Sequence, residues 1–269
     1  MQYEHFGIDI RDGAARVTLD GPGDPRLSDF CDEFLDLVLR LQEDNAVRAI
    51  LVTDGEHAFE LSHDYVTMSE EIQVAGGFEN QATWLETSGK MITVIQECAK
   101  PVVCATRGDI RGLGLGFFMS GDVRLASSTA SFTAPDLTRG LMPEWGLTHT
   151  LPRLLSPGRA LEFLWSGRTM PASEAYFAGL IDRVLEDAAY EETLEAMLAR
   201  LAQLPQPLVR LTKLATQQSD QFDLTSMLSY EFEAQQQCWQ SPESTESLMA
   251  WQQNRRPVFH APTEPEDDE

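Results

Sequence analysis

The chain has 269 residues, 42% of them hydrophobic, which is enough for one large domain or for a main domain with a helical appendage. Its 43 acidic and 20 basic residues give a net charge of −23, which argues against nucleic acid as a partner because phosphates would be repelled. No apolar run reaches the roughly 18–20 residues of a membrane span, and the N-terminal segment lacks the features of a secretory signal. The four scattered cysteines have no metal-ligand spacing. We therefore expect a cytoplasmic protein with no membrane partner, no metal site and no disulfide.

The first part of the chain predicts a hairpin, a helix and a buried strand. Residues Phe6–Ile10 and Ala15–Leu19 alternate apolar and polar side chains around an Asp-Gly turn, a strong hairpin signal. After a Gly- and Pro-rich loop, Ser28 is the expected N-cap of a helix. The run Ala49–Thr53 is short, apolar and β-branched, which is typical of a buried strand. The apolar residues of the helix recur with helical spacing: Phe30, Phe34, Leu37, Val38 and Leu41.

The centre of the chain predicts a long helix, a strand and a glycine-rich turn. Helical periodicity extends over Phe78–Cys98, and the apolar strand Pro101–Thr106 leads into Arg107–Asp122, RGDIRGLGLGFFMSGD. Glycines alternate there before an apolar helical segment. A strand, a glycine turn and a helix start leave backbone N–H groups open to a ligand. The alternative is a tight turn of an α/β fold with no function of its own.

The rest of the chain predicts short strands and helices, and then helices alone after Pro205. The expected strands are Val123–Ala126, Ala130–Thr133 and Ile181–Leu185, and the expected helices are Pro152–Leu164, a helix capped by Ser173 and ended by Gly179, and Tyr190–Leu204. Strand and helix alternation followed by a helical block predicts an α/β fold with a parallel sheet. We expect a core domain over residues 1–204, a helical region over 205–258 and a disordered acidic tail over 259–269.

Three segments, in this order and spacing, make the chain resemble the crotonase superfamily, the enoyl-CoA hydratase/isomerase family. They are AILVTDGEHAFELSHDY, KPVVCATRGDIRGLGLGFFMSGDVRLAS and SFTAPDLTRGLMPEWGLTHTLPRLLSPGRALEFLWSGRTMPASEAYFAGLIDRVL. The resemblance extends from the first hairpin to about Arg256. It implies an α/β crotonase (ClpP-like) fold of repeated ββα units with a helical C-terminal trimerisation region. It also implies a homotrimer or a homohexamer.

The resemblance implies an acyl-CoA thioester substrate, with coenzyme A as part of that substrate and no separate cofactor, and a place in fatty acid metabolism. In this family two backbone N–H groups form an oxyanion hole that stabilises the negative charge of a thioester enolate. The matching positions are His63, in the segment LSHD, and Leu113, in the segment GLG. Both replace the small residues that are usual in the family. Because only the main chain is used, the replacements are tolerable.

The carboxylates distinguish between reactions of the family. Hydratases of the family typically use two glutamates, and the matching positions here are Gly116, which has no acid, and Asp136. At a third position, where family members that shift double bonds often carry an acid, this chain has Glu144. Hydration is best served by two carboxylates that hold one water, whereas a proton shuttle needs one acid or two acids spaced along the substrate. We therefore predict an isomerase rather than a hydratase, with Asp136 and Glu144 as the catalytic residues.

The resemblance also suggests residues around the substrate. The candidate cations for the phosphates of coenzyme A are Arg26, Arg210 and Lys213. The candidate residues of the acyl pocket are Trp84, Gly116, Trp145 and His149.

Several of these residues have a purely structural alternative. Asp136 could cap a turn, and Glu144 could be a first-turn glutamate favoured by the helix dipole. His149 could be a packing residue, and Asp64 is expected to order its loop. Two other functions stay open. One is a carbon–carbon or thioester hydrolase of the same fold, in which His149 or His63 activates water; the other is a non-catalytic member of the family.

Overall fold

Ten strands and ten helices alternate along the part of the chain that the computed structural model describes, which is residues 3–19, 27–55, 59–61 and 77–259. The strands are β1 (Phe6–Arg11), β2 (Ala14–Leu19), β3 (Ala49–Asp54), β4 (Glu60–Leu61), β5 (Val102–Thr106), β6 (Asp109–Gly112), β7 (Val123–Ser127), β8 (Ser131–Thr133), β9 (Thr169–Pro171) and β10 (Arg183–Leu185). The helices are α1 (Leu27–Glu43), α2 (Gly77–Glu97), α3 (Leu113–Met119), α4 (Leu147–Leu155), α5 (Pro157–Ser166), α6 (Ala172–Ala178), α7 (Tyr190–Ala202), α8 (Gln206–Gln217), α9 (Leu224–Trp239) and α10 (Pro242–Gln252).

The strands form two sheets, and successive pairs of strands are divided between them. The larger sheet has the order β1-β2-β3-β5-β7-β10, and it is parallel except for the β1–β2 hairpin. The smaller sheet has the order β4-β6-β8-β9, with β4, β6 and β8 parallel. In each of the pairs β3/β4, β5/β6 and β7/β8 the first strand joins the larger sheet and the second joins the smaller one. This is the repeated ββα arrangement that the resemblance to the crotonase superfamily implies.

The parallel strands of the smaller sheet position the site. The carboxyl ends of parallel strands lie at the same edge of a sheet. At this edge β4 ends at Leu61, β6 ends at Gly112 directly before Leu113, and β8 ends three residues before Asp136. Segments that are far apart in the sequence therefore meet at one edge.

The N-terminal hairpin and α1 agree closely with prediction, except at one helix boundary. Asp12 and Gly13 have φ values of 48° and 80°, the left-handed pair that a two-residue hairpin turn requires. All five predicted apolar residues of α1 are buried. However, the helix begins at Leu27, so Ser28 is not the N-cap. Its hydroxyl donates to Asp29 Oδ1 at 3.3 Å instead of accepting from the first turn.

The helix predicted for Pro152–Leu164 is in fact two helices. Between them Ser156 has a φ of 75°, and Pro157 begins α5. Proline has no N–H to donate and disfavours the helical conformation of the residue before it, so the helix breaks there. A smaller correction concerns Ser173, which lies inside α6, because the N-cap of that helix is Pro171.

The C-terminal region is helical, as predicted: after β10 the described residues contain helices and no strand. Arg48 joins this region to the core. Its guanidinium donates to the carbonyl oxygens of Ala202 (2.7 Å) and Leu204 (2.9 Å) and pairs with the Glu243 carboxylate at 2.8 Å. Residues 260–269 of the predicted acidic tail lie outside the described residues. Within the described ranges, the helices include none that is long and apolar enough to cross a membrane.

A buried ion pair joins α8 to the segment that follows α3. The Lys213 Nζ lies 2.8 Å from the Asp122 Oδ2, and the two side chains are only 9% and 19% exposed. The same ammonium donates to the Ile95 carbonyl oxygen at 3.1 Å, and the carboxylate accepts from the Val102 N–H at 2.8 Å. Burial raises the pKa of Asp122, and the charge of Lys213 opposes that rise.

Replacing one partner of this pair should destabilise the fold. We expect Lys213→Met to lower the free energy of unfolding by about 3 kcal/mol, because the Asp122 carboxylate is then buried without its cation. The double variant Lys213→Met/Asp122→Asn should recover most of that loss. Urea unfolding measures both values, and Arg210→Met, an exposed position on the same helix, is the control. A single Lys213 variant as stable as the native protein would contradict the expectation.

Candidate active site

The backbone at the start of α3 supplies the first candidate oxyanion donor. β6 ends at Gly112, whose φ of 54° is left-handed and favours glycine. Leu113 is the first residue of the helix, so its N–H belongs to the turn that has no intrahelical acceptor. Its side chain is buried in the core. The leucine that departs from the family pattern is therefore accommodated by packing, and the oxyanion role of its main chain stays a prediction.

The second candidate donor, His63, lies outside the described residues, as does Asp64. The described part of β4 ends nearby: Leu61 pairs with Gly112 in the parallel ladder of the smaller sheet. The strand that precedes the second donor is thus hydrogen-bonded to the strand that ends at the first. The role of His63 stays a prediction.

Two glycines of α3 have no room for a side chain. A Cβ on Gly114 would lie 1.9 Å from the Phe59 carbonyl oxygen. A Cβ on Gly116 would lie 2.6 Å from the Trp145 Cβ and 3.1 Å from the Glu144 carbonyl oxygen. Ordinary van der Waals contact begins only at about 3.5 Å. The position of the first hydratase glutamate therefore not only lacks an acid but is filled by the neighbouring loop.

Asp136 lies beside the first donor. It is 2% exposed and begins a short 3-10 helix that ends at Arg139. Its Oδ1 would lie 3.8 Å from a Cβ built on Gly112, the residue before Leu113. The N-cap of the 3-10 helix is Pro135, so the structure does not support the alternative in which the Asp136 side chain serves as the cap. The result is a buried carboxylate next to the candidate oxyanion hole.

Glu144 precedes a turn with unusual backbone. Trp145 and Gly146 have φ values of 51° and 80°, so two consecutive residues are left-handed. α4 begins only at Leu147, and Glu144 is therefore not a first-turn glutamate of that helix. The Trp145 ring is nearly buried and packs edge-on against Phe117 at a centroid distance of 6.4 Å. This packing holds the turn against α3.

A cavity of about 410 Å³ lies between α2 and the start of α4. Three predicted site residues line it, namely Glu144, Trp145 and His149. The other lining residues are Ser88, Gly89, Ile92, Thr93, Gln96, Gly146 and Thr150. The volume falls within the usual range of small-molecule sites. Two further residues were predicted for the acyl pocket. Gly116 lies against Trp145, which lines the cavity. The side chain of Trp84 lies outside the described residues.

His149 has an ordered partner that sequence reasoning missed. Its Nδ1 lies 3.1 Å from the Arg153 Nη1, and Arg153 pairs with Asp220 at 2.8 Å. A guanidinium can only donate, so Nδ1 accepts and the ring proton of the neutral imidazole is on Nε2. The four-residue spacing between His149 and Arg153 on one helix could have suggested their contact. Asp220 follows another helix, and no local pattern indicates it.

The candidate cations for coenzyme A differ in their availability. Arg26 lies outside the described residues. Arg210 is exposed on α8, where its charge faces solvent. The ammonium of Lys213 is instead engaged by Asp122 and by main-chain carbonyl groups. These contacts make Lys213 a structural cation in this chain, and its role toward a phosphate stays an untested prediction.

Alanine at a filled glycine should destabilise the fold, whereas alanine at an open glycine should not. We expect Gly114→Ala to lower the free energy of unfolding by at least about 2 kcal/mol, since the Phe59 backbone must move. Gly89→Ala is the matched control: nothing lies within 4 Å of its Cβ, and alanine should stabilise α2 by roughly 0.5–1 kcal/mol. Urea unfolding compares the two variants. Equal stabilities would show that α3 is not closely packed.

Comparisons with known proteins agree with this arrangement. Crotonyl-CoA hydratase of Syntrophomonas wolfei is 28% identical over 262 residues, which cover 96% of this chain and 99% of that protein. Short-chain-enoyl-CoA hydratase of Clostridium acetobutylicum is 27% identical over 230 residues, with coverages of 85% and 86%. The solved structure of enoyl-CoA hydratase from Bacillus anthracis has a TM-score of 0.84 at 24% identity and covers 95% of this chain and 98% of that chain, so the two share the fold.

The family model described as enoyl-CoA hydratase/isomerase matches residues 9–262. This match spans nearly the whole chain, including both sheets, the turn at Leu113 and the C-terminal helices. The protein, with its crotonase fold and its acids at Asp136 and Glu144, belongs to the enoyl-CoA hydratase/isomerase family.

Proposed function

We propose that this protein acts on acyl-CoA thioesters and moves a carbon–carbon double bond through a thioester enolate. Membership of the family supports acyl-CoA chemistry. The relatives named above are hydratases, so the preference for isomerisation comes from this chain's own residues. The observation that carries it is the contact between Gly116 and Trp145, which leaves no space for the first of the two carboxylates that hold water in a hydratase.

The proposed reaction consists of two proton transfers. A carboxylate, Glu144 or Asp136, removes a proton from the α-carbon of a thioester whose double bond joins the β- and γ-carbons. The charge spreads into a dienolate, and the N–H groups of Leu113 and His63 stabilise its oxygen. The same or the other acid then protonates the γ-carbon, which leaves the double bond between the α- and β-carbons. One C–H bond breaks and one forms, so neither water nor a further cofactor is consumed.

The placement of the two acids suits a transfer between two carbons. Asp136 is buried beside Gly112, the last residue of β6, which directly precedes Leu113. Glu144 instead lines the cavity next to α2. The α-carbon is bonded to the thioester carbonyl carbon and must lie near the oxyanion hole, and the γ-carbon lies further along the acyl chain. Two acids at separate places along one substrate can therefore serve the two carbons.

The two alternatives are less well supported. A hydrolase would need His149 or His63 as a base. The contact with Arg153 occupies Nδ1 of His149 and places the proton on Nε2, and His63 lies outside the described residues. A non-catalytic binding protein gives no specific account of the carboxylate of Asp136 beside the candidate oxyanion donor, whereas the proposed proton transfer does.

We further propose that the chain assembles as a homotrimer or a homohexamer through its C-terminal helices. These helices expose large apolar side chains, a common feature of subunit interfaces. They are Leu224, Leu228, Phe232, Trp239 and Trp251.

Binding of thioesters tests the substrate class. A saturated acyl-CoA at 100 times its Kd should raise the free energy of unfolding by about 2.7 kcal/mol and raise the Tm accordingly. The free fatty acid of the same chain length is the control and should cause a much smaller shift. If no CoA thioester changes the Tm, the proposed substrate class is wrong.

Substitution of the acids tests the reaction. In at least one of Asp136→Asn and Glu144→Gln, the kcat for isomerisation of a 3-enoyl-CoA should fall by about 10²- to 10⁴-fold, because the proton acceptor is lost. Glu43→Gln, which changes an exposed carboxylate at the end of α1, should leave kcat unchanged. Native protein should isomerise 3-enoyl-CoA faster than it hydrates crotonyl-CoA. Faster hydration, or unchanged turnover in both acid variants, would refute the mechanism.

A further inference from the structure

Part of the cavity wall, contributed by both helices, carries polar side chains that the proposed proton transfers do not use. Gln96 of α2 and His149 and Thr150 of α4 line it. A plain alkyl chain makes no hydrogen bond to such groups, and they lose water when the chain enters. Pockets for alkyl chains are lined with apolar groups instead. This wall therefore suits an acyl chain that carries a hydrogen-bonding atom.

Among these groups, His149 has the most closely defined orientation. Arg153 holds it at two points, through Nδ1 at 3.1 Å and through its main-chain oxygen at 2.9 Å. Asp220 in turn holds Arg153, because one carboxylate oxygen accepts from Nε at 3.0 Å and from Nη2 at 2.8 Å. Since Nδ1 accepts, Nε2 carries the proton. Within the described part of the chain, Nε2–H donates to no other group.

The charges around the cavity favour a neutral hydrogen-bond acceptor on the substrate over an anionic one. Asp220 neutralises the charge of Arg153, while Glu144 adds a carboxylate to the same cavity. The net charge of −23 and the further carboxylate in this cavity disfavour an anionic end of an acyl chain. A neutral oxygen, in a hydroxyl or keto group, can accept from His149 without this repulsion.

We propose that His149 selects thioesters whose acyl chain carries a neutral hydroxyl or keto oxygen beyond the reacting carbons. Nε2–H donates a hydrogen bond to that oxygen. Arg153 and Asp220 are positioning residues that keep the ring in its donating form. The inference rests on the proposed acyl-CoA function and adds the class of acyl group to it.

The test measures binding and needs no turnover. Calorimetry would give the Kd of saturated acyl-CoA thioesters from butanoyl to octanoyl, each with and without a hydroxyl group at the chain end. At the chain length that reaches His149, an exposed residue at the edge of the cavity, the hydroxylated thioester should bind native protein about tenfold more tightly, as expected for one hydrogen bond.

Variants show which residues cause the preference for the hydroxylated thioester. His149→Phe should reduce the ratio of the two Kd values to about one. Arg153→Met and Asp220→Asn should lower the same ratio without changing the affinity for the plain thioester, a result that general loss of stability would not produce. Thr148→Val, an exposed neighbour on α4 outside the cavity, is the control and should keep the native ratio.

The outcomes separate this inference from the proposed function. Equal affinities at every chain length, or a preference that survives His149→Phe, would overturn the selection by His149 and leave the acyl-CoA function intact. If no thioester of either series binds, both proposals fall together.

Discussion

The start of α3 is in close contact with two other backbones, and the site depends on that packing. Gly114 abuts the chain at Phe59, which leads into β4, and Gly116 abuts the turn that contains Glu144. A side chain at either glycine would separate elements that must act on one substrate. The proposed oxyanion donor at Leu113 and the proposed acid at Glu144 are thus held in position before any ligand arrives. Donors that need no reorganisation are the ones that stabilise an enolate most effectively.

Aromatic packing keeps this arrangement rigid. The Phe117 ring lies edge-on to Phe34 of α1 at 4.8 Å and to Trp145 at 6.4 Å, so it joins the first helix to the turn that contains Glu144. The left-handed backbone of Trp145 costs of order 1–2 kcal/mol in a residue other than glycine. Burial of the large indole ring offsets that cost. The strained backbone therefore lies next to Glu144, and packing of Trp145 in the core maintains it.

Features that depend on local sequence were predictable, and features that depend on distant contacts were not. The hairpin, the apolar face of α1 and the positions of the strands of the larger sheet follow from periodicity and from one Asp-Gly turn, whereas β4, β6 and β9 of the smaller sheet were not predicted. The helix break at Ser156 was also readable, since Pro157 follows it. The position of Glu144 outside α4 was not, because it depends on the buried left-handed Trp145. The roles of Lys213 and Arg153 depend on Asp122 and Asp220, which lie on other parts of the fold.

The contact between Gly116 and Trp145 also bears on how one reaction of this family can give way to another. A glutamate introduced at Gly116 would need the turn at Glu144 and Trp145 to change at the same time, because their backbone occupies its space. A single substitution at Gly116 therefore cannot create a pair of water-holding carboxylates without disturbing this packing. For the proposed isomerase, a change to hydration would then require coupled substitutions, and a laboratory selection for hydration would have to alter the turn and the helix together.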